Sequence, residues 1–96
     1  MPGGDVRTVQ VRIAGRVQGV GYRYWTERVA GELGLSGWVR NRRDGTVEAV
    51  FSGAPDDVAE MLERCRAGPS SAQVTSIDVV ENVAAPSPGF DMLPTA

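Results

Sequence analysis

Apolar and polar residues alternate near the start of the chain. In "VRTVQVRI" (residues 6–13), Val9, Val11 and Ile13 fall on one face and Thr8, Gln10 and Arg12 on the other. That period of two marks a half-buried strand. Beyond a glycine-rich loop the period changes. Across "YRYWTERVAGELGL" (residues 22–35), Tyr22, Trp25, Thr26, Val29, Ala30 and Leu33 share one face at helical spacing, while Arg23, Glu27, Arg28 and Glu32 fall largely elsewhere. Gly34 stands where a helix commonly ends in a left-handed residue. "SGWVRN" (36–41) predicts a short strand and "RRDG" (42–45) a turn, with Asp44-Gly45 suited to positive φ. "TVEAVFSG" (46–53) is the hairpin partner, with Val47, Ala49 and Phe51 on one face.

A second helical pattern covers "PDDVAEMLERCRAG" (55–68). Pro55 suits its first turn. Asp56, Asp57 and Glu60 crowd its positive end, and Arg64 and Arg66 its negative end. Val58, Met61, Leu62 and Cys65 form the buried stripe, which makes Cys65 a core residue rather than a reactive thiol. "AQVTSIDVVENV" (72–83) predicts a fourth strand with looser patterning, "AAPSPG" (84–89) a loop, and "FDML" (90–93) a short closing strand before a frayed tail.

The order is β-α-β-β-α-β with room for one more strand. It predicts an α+β, ferredoxin-like sandwich: an antiparallel sheet of four to five strands with two helices on one face. A single domain is expected over residues 1–96, with an ordered core over about residues 6–93. The first strand, first helix and second strand form a right-handed crossover, so the two strands run parallel and end at the same edge of the sheet. The glycine loop leaves the first strand and Asn41 ends the second. Open sheets that carry helices place ligand sites beyond such ends, which brings Asn41 toward the loop.

Composition narrows the chemistry. The chain has 96 residues, a net charge of −2 and no histidine. A chain of this size buries about 60–65% of its unfolded surface, enough for one core. The single cysteine excludes an internal disulfide, and no Cys or His cluster exists to bind zinc. The commonest general base and metal ligand is missing, so catalysis would rest on other groups, on substrate or on water. "MPGGDVRT" has no apolar run and reads as neither signal peptide nor membrane span. A soluble cytoplasmic protein is expected.

Charge is uneven along the chain. Residues 1–48 hold eight arginines against five acids, and residues 49–96 two against seven, giving +3 and −5. No lysine occurs, and arginine suits planar anions better than lysine does. A pI of about 5.0 argues against a nucleic-acid binder that relies on bulk charge. A local cationic site in the first half remains open.

"GRVQGVGYR" (15–23) is the candidate for that site. Gly15, Gly19 and Gly21 let the backbone turn its N–H groups inward. The loop runs into the start of the first helix, where N–H groups lack internal partners and the dipole is positive. Such a concavity suits a phosphate. Arg23 in the first turn opposes the dipole, a placement that makes sense around an anion. The same glycines also suit a tight turn, and Asn41 before Asp-Gly also suits a turn former; the loop alone leaves both readings open.

Together, "GRVQGVGYR" and "GWVRNRRDGTVEAVFSG" resemble the acylphosphatase family, over about residues 7–93. The resemblance implies a small ferredoxin-like hydrolase that cleaves acyl phosphates to a carboxylate and inorganic phosphate without metal or cofactor, acting as a monomer with no nucleic-acid or membrane partner. It implies that Arg23 binds the phosphoryl oxygens with the backbone of Gln18, Gly19, Val20, Gly21 and Tyr22. It implies that Asn41 orients the attacking water, with the substrate's own phosphate able to take the water's proton. Tyr22 stands where the family more often has phenylalanine, its hydroxyl needing a partner. Pro94 departs from the polar or basic ending of relatives. Trp25 and Trp38 read as core or site-rim packing, and Arg40, Arg42 and Arg43 as a solvated hairpin that could steer anions.

Two rivals remain. A phosphate-holding module of the same fold would bind without turnover, as in the N-terminal part of larger maturation enzymes; the chain's end at Ala96 and the presence of both Arg23 and Asn41 favour a free-standing enzyme. An RNA-binding domain of similar order would need exposed aromatics on its central strands, and the first strand has none.

Overall fold

A computed structural model describes residues 5–96; the first four residues of the "MPGGDVRT" stretch lie outside it. The elements are β1 (Arg7–Arg16), α1 (Tyr22–Glu32), β2 (Ser36–Asn41), β3 (Val47–Gly53), α2 (Pro55–Ala67), β4 (Gln73–Glu81) and β5 (Phe90–Met92). They build one sheet in the order β4-β1-β3-β2-β5. β1 and β2 each pair antiparallel with β3, so they run parallel to one another with β3 between them. Their C-terminal ends therefore meet at one edge of the sheet, as the crossover argument requires.

The alternating faces pack as their periods dictate. Val9, Val11 and Ile13 of β1, Val39 of β2 and Val47, Ala49 and Phe51 of β3 are buried in one cluster with Tyr22, Val29 and Ala30 of α1 and Val58, Met61, Leu62 and Cys65 of α2. Each large apolar side chain taken out of water there contributes about 1.5–3 kcal/mol. Gly34 takes φ 68° just past the end of α1. In α2, Pro55 stands in the first turn with Asp56 and Asp57, and Arg64 and Arg66 in the last.

Four sequence expectations change. The first concerns Gly15, which belongs to β1 and not to the loop. β1 continues to Arg16 because β4 pairs with it across a register shift at Ala14/Gly15. A Cβ at Gly15 would lie 2.1 Å from the main-chain oxygen of Gln73, so a β-bulge with no room for a side chain requires the glycine. Second, β3 is buried on both faces: Glu48, Val50 and Ser52 are buried as well as Val47, Ala49 and Phe51. β3 lies mid-sheet, and flanking side chains cover its open face. Gln10 and Trp38 stand opposite Val50, and Thr8 hydrogen-bonds Ser52 at 2.7 Å.

Third, the sheet is mixed. β5 runs parallel to β2. β4 is antiparallel to β1, so the chain leaves it at the N-terminal end of β2 and crosses to the opposite edge there. The returning strand must then share the direction of β2. Fourth, the tail is not frayed: Leu93 donates its N–H to Val39 at 2.9 Å and Ala96 to Asn41 at 3.0 Å, on either side of Pro94, which has no N–H to give.

Candidate active site

The loop Val17–Gly21 joins β1 to α1. Gly19 and Gly21 adopt φ of 73° and 80°. A side chain at either would meet nothing within 4 Å, so the need for glycine is the left-handed backbone itself and not clearance. Gly21 is the N-cap of α1, and it offers no capping side chain; the first turn holds no acidic residue. Trp25 is the first helix residue whose N–H finds a backbone acceptor, the Gly21 carbonyl at 3.0 Å, and none of the N–H groups from Gln18 to Tyr24 has one among the described residues.

Arg23 stands in this first turn, half-buried, and no carboxylate among the described residues pairs with it. α2 sets two aspartates at its positive end; α1 sets a cation there. A like charge so placed costs about 0.3–1 kcal/mol. A charge-assisted hydrogen bond to an anion returns about 1.5–3 kcal/mol, so the balance turns favourable when an anion is bound.

Asn41, the last residue of β2, faces this bare helix end. A concavity of about 170 Å³ is lined by Gly19, Gly21, Arg23, Tyr24 and Asn41, with Val17 and Tyr22 beneath. Asn41 Oδ1 is buried and has no hydrogen-bond partner among the described residues, a state that costs about 1–3 kcal/mol. Its main chain, by contrast, is fixed. The Asn41 carbonyl accepts from Ala96, Arg43 donates to the main-chain oxygen of Ala96 at 2.8 Å, and Arg42 donates to Thr46 at 2.8 Å.

Two expected cradle residues lie outside that lining. Gln18 turns its side chain away, its amide Nε2 donating to the carbonyls of Arg42 at 2.7 Å and Thr46 at 2.8 Å. It ties the loop to the turn that follows Asn41, a role that its place in a glycine motif did not signal. Val20 packs against the core, and its carbonyl accepts from Ser71 Oγ at 3.1 Å. Both keep their N–H groups in the unpaired run. The Tyr22 hydroxyl finds its partner in the Cys65 carbonyl, at 2.6 Å, and burial pushes it far above its ordinary range. Burial likewise raises the Cys65 thiol to about 12, so it is inert at neutral pH.

Glu48 was also missed. Its side chain is only 5% exposed, and it accepts from Arg40 at 2.9 Å, from Arg42 at 3.3 Å and from Gln10. Burial alone would raise its carboxyl, but hydrogen bonds from Arg40 and Gln10 and the charges of Arg40 and Arg42 outweigh that and hold it low. Of the three hairpin arginines, only Arg43 is the exposed residue expected. A hairpin closed at Asp44-Gly45 sets Arg40 opposite Glu48, and that cross-strand pairing was the available signal. Arg40 also stacks over Trp38, 4.8 Å from its ring centre.

A larger groove of about 280 Å³ lies on the open sheet face beside Gln10, Arg12, Asp78 and Val80. It lacks any run of free donors, since Arg12 already pairs with Asp44 at 3.4 Å. Among the described residues, no group of three His, Cys, Asp or Glu side chains is placed to hold a metal ion, and no helix is long and apolar enough to cross a membrane.

Known proteins are similar to this chain in sequence and fold. The family described as Acylphosphatase matches residues 9–92. An acylphosphatase of Nitrobacter hamburgensis is 52% identical over 92 residues, covering 90% of this chain and 93% of its own length. A crystal structure of acylphosphatase from Bacillus subtilis superimposes with a TM-score of 0.86 at 33% identity, covering 91% of this chain and 98% of that one. An acylphosphatase structure from Coxiella burnetii gives 0.88 at 32% identity, covering 93% and 94%. With a ferredoxin-like sheet, a bare helix end beside a free arginine, and relatives matching over nearly their whole length, the chain belongs to the acylphosphatase family and is an enzyme that hydrolyses acyl phosphates.

Proposed function

We propose that Arg23 and the N–H groups from Gln18 to Tyr22 hold the phosphoryl group of an acyl phosphate, and that Asn41 orients the water that attacks it. The water oxygen forms a bond to phosphorus as the bond from phosphorus to the acyl oxygen breaks. The carboxylate leaves, and the water's proton passes to a phosphoryl oxygen. The products are a carboxylate and inorganic phosphate. Phosphoryl transfer asks mainly for position and for stabilisation of spread negative charge. Amides and one guanidinium supply the second without covalent participation, and a stable carboxylate leaves without a strong acid.

The observation that carries this reading is one concavity shared by an unpaired Arg23 and a buried, unpartnered Asn41 Oδ1. Arg23 matches what an anion needs and Asn41 what a water needs. The same reading takes residues 1–96 as a single domain, with an ordered core over about residues 6–93, working as a monomer. A cytoplasmic setting suits a lone buried cysteine.

The test is hydrolysis of benzoyl phosphate in EDTA by the parent, Arg23→Ala and Asn41→Ala. Each variant is expected to lose at least about 10²–10³ in turnover, as for one oxyanion donor. Competitive inhibition by inorganic phosphate should weaken in Arg23→Ala and largely survive in Asn41→Ala. A folded parent that binds phosphate but turns nothing over would make this a binding module.

A further inference from the structure

The concavity is lined by three apolar side chains, and they differ in what they can offer. Val17 and Tyr22 are each 1% exposed and form a closed floor. Tyr24 is 69% exposed. It follows Arg23 directly on α1, off the face that buries Tyr22, Thr26, Val29 and Ala30. Its neighbour Trp25 is turned inward against the core. Within the lining, then, one aromatic ring stands free in solvent, next to the guanidinium that holds the phosphoryl group.

We propose that Tyr24 is the contact for the acyl group, its ring face meeting planar acyl groups, so that aromatic acyl phosphates are preferred over short aliphatic ones. The proposal rests on the concavity being the phosphoryl site. In-line attack by water at Asn41 sends the leaving acyl oxygen away from Asn41. The phosphate cradle reads only phosphate, so any choice among acyl groups must come from a side chain beyond it. An offset or edge-on aromatic contact depends on the ring and not on the hydroxyl, and the Tyr24 hydroxyl makes no hydrogen bond within the described residues.

The experiment compares kcat/KM for benzoyl phosphate and acetyl phosphate in the parent, Tyr24→Ala and Tyr24→Phe, with thermal melts to check folding. Tyr24→Ala is expected to lower the benzoyl-to-acetyl ratio by about two- to tenfold, the range an aromatic contact supplies, and Tyr24→Phe to keep the parent's ratio. An unchanged ratio in Tyr24→Ala, or an equal fall in Tyr24→Phe, overturns the proposal while leaving the phosphoryl site intact. A parent that hydrolyses neither substrate overturns the site and the proposal together.

Discussion

Gln18 gives its side-chain amide to main-chain oxygens on both sides of one turn, those of Arg42 and Thr46. The turn follows Asn41 directly, so this single side chain ties the glycine loop to Asn41, the residue proposed to orient water. Gln18→Met keeps the length and removes the donors. Turnover is expected to fall by about tenfold or more, toward the roughly 10² that an ångström of misplacement costs. Inhibition by phosphate, which needs only the loop and Arg23, should move much less. Equal losses in both would make Gln18 a general prop and not a positioning residue. Local pattern could not show this role. It placed Gln18 among the loop's expected backbone donors, but the reach of a side chain to a turn 24 residues away depends on the completed sheet.

Among the elements, the β2–β3 hairpin carries the buried charge. Glu48 is held below its ordinary 4.5 by Arg40, Gln10 and Arg42 despite its burial. A carboxyl lowered in the folded state stabilises fully above its unfolded pKa, and that contribution is lost as pH falls through the folded one. Glu48→Gln is therefore expected to cost about 1–3 kcal/mol at neutral pH, seen as a lower urea midpoint, and the gap to the parent should narrow as pH falls below the ordinary 4.5 of the carboxyl. A gap that stays constant into acid would mean that packing, not charge, is what was lost. Asp44 and Glu81 are lowered too, but both lie at the surface, where solvent leaves little of the effect. Periodicity made β1, α1, β2 and α2 legible, because each buries one face and its spacing says which. It did not show that the second face of β3 is covered, since only neighbours cover it, and it misjudged β5, whose direction follows from where β4 ends. Gly15 looked like loop for the same reason: its close contact is with β4, far along the chain.

Over the whole molecule, stability and function pull apart at α1. Arg23 against the helix dipole and the unpartnered Asn41 oxygen together cost about 1–4 kcal/mol, a sizeable part of the 5–15 kcal/mol that hold a typical domain folded. Without phosphate, Arg23→Ala is expected to melt about 1–8 °C higher than the parent, since about 0.3–1 kcal/mol is relieved and 1 kcal/mol moves a domain of this size by about 4–8 °C. Added phosphate should raise the parent strongly and the variant weakly. A variant that melts lower without phosphate would show that the stem of Arg23 packs more usefully than its charge harms.

Phosphate bound at the bare end of α1, as proposed, would also act on lifetime. A ligand at 100 times its Kd adds about 2.7 kcal/mol to the folded state, and proteases that act on briefly opened chains sample that same equilibrium. Molecules idle in phosphate-poor surroundings would be degraded first. Those working where product accumulates would persist, so the abundance of the enzyme would follow the phosphate it releases.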